Sequence, residues 1–148
     1  MGSLLANHVL VTALSAWVLA QLLKLPVGYL QKREWDWSLL FGAGGMPSSH
    51  AALIVSAAVS IGLTQGFDSP LFGLALAVAL IVLYDAAGIR RQAGEHARLI
   101  NAMLSDLASG NPLHEEQLIE LLGHTPGEVF AGAVLGLAVA EILGLVWR

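Results

Sequence analysis

The stretch Gly44-Gly45-Met46-Pro47-Ser48-Ser49-His50, which runs directly into an apolar segment over 51–65, decides how the rest of the chain is read. Two glycines let the backbone take φ > 0 or come close to a ligand. Pro47 suits the first turn of a helix. Ser48 and Ser49 can cap or donate, and His50 can move a proton near neutral pH. A glycine-rich turn opening onto a helix N-terminus presents unpaired N–H groups at the positive end of a dipole, which is a natural anion site. The same string would serve equally well as a plain loop and cap, so its meaning depends on its surroundings.

Those surroundings are membrane-like. The chain has 148 residues, of which 56% are hydrophobic and 12% charged, with a mean hydropathy of +0.71. Soluble domains carry roughly 25% charged residues. The length suits one domain. A net charge of −4 without a basic stripe argues against nucleic acid as a partner. The absence of cysteine excludes disulfides and thiolate metal sites.

Segments of about 20 apolar residues span a bilayer as helices. Working outward from the central stretch gives four candidates, over 4–23, 47–65, 71–87 and 128–147. The first has no basic residue ahead of it, so it reads as a retained span rather than a cleaved signal. Lys24 and Pro26 mark its predicted exit. Trp35 and Trp37 fall in the polar connector that follows, where interfacial aromatics are expected. The glycine-rich approach over 39–46 reads as re-entrant or interfacial. A polar helical connector over 89–122 carries Leu99, Ile100, Met103, Leu104 and Leu107 at helical spacing. The expected architecture is therefore an all-α integral membrane protein with about four transmembrane helices, a re-entrant or interfacial segment and short polar helices.

Four spans place Lys24, the 44–50 loop, the 85–91 segment and the 124–128 segment on one side of the membrane. That side also holds six of the seven Lys and Arg residues, namely Lys24, Lys32, Arg33, Arg90, Arg91 and Arg98. The positive-inside rule makes it cytoplasmic.

Three groups there could do chemistry. In His124-Thr125-Pro126-Gly127-Glu128 the carboxylate lies one helical turn beyond the histidine, an arrangement for a nucleophile or base held by an acid. A simple helix cap with an acidic first turn would look the same. Asp85 with Arg90 and Arg91 sits at the membrane boundary, where arginines can grip phosphate or merely anchor the span. His8, His96 and His114 read as interfacial or surface residues. Glu141 stands apart inside the last span, where a carboxylate is costly. Gly132 and Gly136 form a small-residue step on the same span, suited to helix packing within the fold or in a homodimer.

In combination these segments resemble the membrane-bound type-2 phosphatidic acid phosphatase superfamily, which includes bacterial acid phosphatases and vanadium-dependent haloperoxidases. Gly-Met-Pro-Ser-Ser-His at 45–50 looks like its Pro-Ser-Gly-His element, and His124-Thr-Pro-Gly-Glu128 like its His-x-x-x-Asp element. The closer likeness is to the divergent branch of acid phosphatase/vanadium-dependent haloperoxidase-related proteins. There Gly-Gly-Met-Pro-Ser-Ser-His, Tyr-Asp-Ala-x-Gly-x-Arg-Arg and Gly-His-Thr-Pro-x-Glu occur together.

The resemblance implies a related helical bundle and a phosphatase acting on a lipid-linked phosphate or pyrophosphate, without metal or cofactor. By the same resemblance His124 would be the nucleophile, Glu128 its orienting acid and His50 the general acid and base. Lys24, Gly45, Ser48, Ser49, Asp85, Arg90 and Arg91 would form the phosphate-binding set. The chain departs from the superfamily pattern in five ways: it has fewer spans, its first motif survives only as Lys24 with Lys32-Arg33, and three single positions differ. No arginine closely precedes His124, Ser49 stands in place of glycine, and Glu128 stands in place of aspartate. A different function fits the same residues: a non-catalytic lipid- or anion-binding membrane protein, or a transporter, that keeps the phosphate cradle.

Overall fold

The structure, a computed structural model, describes residues 6–40, 44–87 and 124–147, together with 96, 98–101 and 103–105 of the connector. All its regular elements among these residues are helical.

Helix α1 spans His8–Lys32 and is capped by Asn7, whose side chain accepts the Leu10 N–H at 3.1 Å. It does not stop at Lys24 and Pro26 as the sequence suggested. Proline removes one backbone donor, yet it is tolerated in membrane helices where neighbouring groups satisfy the freed carbonyl. Lys24 does not signal an exit because it points into the protein, with 1% of its surface exposed. The helix ends at Arg33, which adopts the left-handed conformation with φ 61°.

A 3₁₀ turn over Trp37–Leu40 then folds back along α1. The Gln21 side-chain amide donates to the Leu40 carbonyl at 2.7 Å, and Leu39 packs where Gly28 leaves room. Leu40 thus lies level with Gln21, well below the end of α1. This backtracking brings the chain down to the 44–50 loop.

Helix α2 spans Ser49–Gln65. Pro47 is not in its first turn as expected. It precedes the N-cap, a position taken by Ser48, whose hydroxyl accepts the Ala51 N–H at 3.4 Å. A compact turn over 66–69 leads to α3, Pro70–Ala87, whose start is capped by the Ser69 hydroxyl. Phe67 covers Gly62 and meets Phe72 edge-on. Helix α4 spans Pro126–Val146 and opens with a capping box made by Thr125 and Glu128.

Helix α2 is central and packs against α1, α3 and α4. Helices α1 and α3 both touch α4 but, among the described residues, not each other. Ser48 rests on Gly132 and Ala52 on Gly136, so α2 and α4 run parallel with their N-termini at the same end. The opposite end is closed by His8 stacking on Trp147 at 4.5 Å. Two clusters fill the interior: Ala16, Ala20, Ala52 and Val139, and nearer the α2 and α4 starts Ala51, Ala86 and Val129. Small side chains dominate because close backbone approach, not hydrophobicity, holds helices together in lipid.

Helices α1, α3 and α4 are long and apolar enough to cross a membrane. The 17 residues of α2 reach only about 25 Å at 1.5 Å per residue. Its neighbours shield this shorter apolar helix on three sides. The chain is an all-α integral membrane protein.

Candidate active site

Parallel packing of α2 and α4 puts two positive helix ends side by side, an arrangement that favours an anion between them. The groups gathered there come from three separate parts of the sequence.

The start of α4 supplies His124, which is 1% exposed. Its Nδ1 lies 3.1 Å from Glu128 Oε2, and the Thr125 N–H donates to the same oxygen at 3.1 Å. The Thr125 hydroxyl in turn accepts the Glu128 N–H at 3.3 Å. The carboxylate is therefore fixed from two directions. An ionised carboxylate only accepts, so Nδ1 must carry the proton in this contact and the lone pair of a neutral ring falls on Nε2. The capping box and the histidine–carboxylate pair, which the sequence offered as alternatives, use the same Glu128 side chain.

The start of α2 supplies His50. Its ring centroid is 6.3 Å from that of His124, with the planes inclined by 58°. Ser48 and Ser49 are buried beside it, whereas His50 itself is exposed. The Ser48 N–H donates to the Glu128 carbonyl at 3.0 Å, while the Ser48 carbonyl lies against Gly132. A Cβ at Gly132 would fall well inside van der Waals contact with that carbonyl, and one at Gly136 would do the same to the Ala52 carbonyl. These two glycines are thus used inside one chain, and the expected homodimer face through Gly132 and Gly136 is already covered by α2.

Helix α1 supplies Lys24. Its stem passes under Gly45, where an added Cβ would lie 3.8 Å from the lysine Cδ. Gly45 has φ 90°, a conformation that glycine adopts readily. The lysine charge interacts with Glu128, which ties α1 electrostatically to the α4 start. Asp85 sits partly buried in the last turn of α3, beside Ala86, which packs on Ala51 and Val129. Arg90 and Arg91 lie outside the described residues.

Comparison with known proteins gives the same direction as the geometry. The family model described as "Divergent PAP2 family" matches residues 5–139. The chain belongs to this divergent PAP2 family. One relative is the "Uncharacterized membrane protein YuiD" of Bacillus subtilis (strain 168), 37% identical over 151 residues that cover 95% of this chain and 96% of the relative. No solved structure matches the chain.

Within this divergent PAP2 chain, the grouped residues are His124, Glu128, His50, Ser48, Ser49, Gly45 and Lys24. Sequence reasoning missed how Gly132 and Gly136 contribute, since a small-residue step indicates close approach without naming the partner. The complementary signal was the run of small residues at 48, 49, 51 and 52. Glu141 belongs to none of this. It lies exposed on α4, towards the end far from Glu128.

Proposed function

We propose that this chain is a membrane phosphatase that hydrolyses a lipid-linked phosphate or pyrophosphate through a phosphohistidine intermediate. The observation that carries the reading is the pair of histidine rings 6.3 Å apart, one fixed by Glu128, at the converging starts of α2 and α4.

In the first step the Nε2 lone pair of His124 attacks phosphorus, the bond from phosphorus to the leaving oxygen breaks, and protonated His50 gives that oxygen its proton. Glu128 holds the ring through Nδ1–H and stabilises the positive charge that develops on it. In the second step neutral His50 takes a proton from water, the hydroxide attacks phosphorus, and the P–N bond breaks to release phosphate and restore His124. Lys24, the Ser48 hydroxyl and the N–H groups of Gly45 and Ser49 bind the non-bridging oxygens, with Arg90 or Arg91 completing the set. Asp85 is assigned to the same phosphate-binding set. The site side faces the cytoplasm, in keeping with the distribution of Lys and Arg.

The test is phosphate release from phosphatidic acid, phosphatidylglycerol phosphate and undecaprenyl pyrophosphate by the purified protein in detergent. Turnover is expected on at least one of them, and His124→Ala and His50→Ala each abolish it. Undiminished turnover in both variants sinks the proposal. Headgroup binding without turnover, retained in His124→Ala, would instead establish a lipid-binding protein.

A further inference from the structure

The connector carries an apolar face turned away from the protein. Residues 96, 98–101 and 103–105 are helical. Among them Asn101 is the buried one, at 9% exposure, whereas Leu99 is 58%, Ile100 44%, Met103 55% and Leu104 37% exposed. At 100° per residue these four apolar side chains cover an arc of roughly 140°, which exposed His96 shares, while the opposite arc holds buried Asn101 with exposed Arg98 and Ser105. The helical spacing of the apolar residues marks a stripe without naming what covers it. In the structure the Asn101 amide turns inward and Leu99, Ile100, Met103 and Leu104 turn outward.

An amphipathic helix bathed in water would be oriented the other way, because exposed apolar area is unfavourable there. The position of this segment names the phase that covers it. It lies between the end of α3 and the start of α4, so topology holds it at the same side of the membrane as His50 and His124. The outward surface of α3, with Leu80, Ile81 and Tyr84 exposed, leads towards that boundary. Tyr29, Trp35 and Trp37, stacked in series at the same end of α1, mark the level of the membrane interface.

We propose that the helical connector residues 96, 98–101 and 103–105 lie in the bilayer surface on the side of the candidate site, with Leu99, Ile100, Met103 and Leu104 at the acyl boundary. The lipid surface is the partner, not a second copy. The proposal holds whether or not His124 forms a phosphoryl intermediate.

The chain has no cysteine, so single introduced cysteines can be labelled without background. Leu99→Cys, Ile100→Cys, Met103→Cys, Leu104→Cys and, as the polar reference, Ser105→Cys would each carry an environment-sensitive fluorophore in phosphatidylcholine–phosphatidylglycerol vesicles. The four apolar positions are expected to emit to the blue of Ser105→Cys. They should be quenched several-fold more by shallow doxyl lipids, and several-fold less by aqueous iodide. Equal iodide quenching at all five positions would overturn the proposal in favour of a water-facing helix. Protection of the four positions from both quenchers would overturn it in favour of a protein partner. Because all four side chains are exposed, a poorly folded variant at one position leaves three others to decide the result.

Discussion

Helices α2 and α3 are neighbours of nearly equal length built on opposite plans. Helix α2 is rich in serine and alanine and buries Ser49, Ala51, Ala52, Ser56, Ala58, Ser60 and Gly62. Helix α3 has no serine, carries five leucines to the two of α2, and buries only Ala79 and Ala86. In water the greasier helix would be the core. In lipid, apolar side chains gain nothing by leaving the solvent, so contact is won by small residues that let backbones approach. The candidate chemistry follows the packed helices. Ser48, Ser49 and His50 sit at the start of α2, and His124 and Glu128 at the start of α4, where backbone contacts can hold groups to within a fraction of an ångström. Helix α3 forms a lipid-facing wall beside them.

The hardest way to break this difference is to put bulk between α2 and α4. Gly132→Ala places a methyl group against the Ser48 carbonyl, which is backbone and cannot swing aside. Overpacking of this kind costs about 1–3 kcal/mol. The larger effect falls on geometry, because Ser48 also donates to the Glu128 carbonyl and stands two residues before His50. Displacing a reacting group by about 1 Å can cost on the order of 100-fold in turnover. Gly132→Ala should therefore lose on the order of 100-fold in kcat, while thermal unfolding in detergent still shows a folded protein. Turnover equal to the wild-type rate would show that the α2–α4 contact does not set the spacing of the histidines.

Helix α1 joins the packed set at one charged residue. Lys24→Met keeps an unbranched chain of similar length under Gly45 and removes the ammonium group that interacts with Glu128. Loss of one charge-stabilising donor typically costs about 10²–10³ in turnover. The expected result is a fall towards the lower end of that range, read as kcat for phosphate release, with little change in thermal stability. A fall in stability without a fall in kcat would make Lys24 a structural residue.

Much of this was legible before any coordinates. The histidines at glycine-rich helix starts, far apart in sequence, had to share a membrane face once the spans alternated. The family motifs at 44–50 and 124–128 named the residues that the fold brings together. What the sequence concealed was depth and partnership. Lys24 and Pro26 look like the end of a span because hydropathy treats every lysine as solvent-bound, yet eight residues of α1 follow Lys24. Gly132 and Gly136 advertise a close contact that a second copy could have made equally well. Leu99 and its neighbours show a stripe, but periodicity does not say whether protein or lipid covers it.

A milder test leaves the contact intact and loosens only the start of α4. Thr125→Ala removes the hydroxyl that accepts the Glu128 N–H but keeps the backbone N–H that donates to Glu128 Oε2. Loss of an N-cap side chain costs about 0.5–2 kcal/mol. A modest fall in the unfolding temperature is expected, with kcat reduced less than in Gly132→Ala. A larger loss of activity than in that variant would place the hydroxyl itself in contact with substrate.

The smallest effect belongs to the other side of the comparison. Ile81→Ala on α3 removes a side chain that is 69% exposed. In a soluble core the same change would cost about 2–5 kcal/mol through lost burial and a cavity. Here the deleted methyl groups have lipid as their environment both in the folded chain and in an unpacked helix, so the transfer difference nearly vanishes. The change in stability should stay within about 0.5 kcal/mol, as for surface substitutions elsewhere, and turnover should be unchanged. A loss on the scale of Gly132→Ala would mean that α3 is covered by protein at this position, and that its apolar exposure marks an interface instead of a lipid wall.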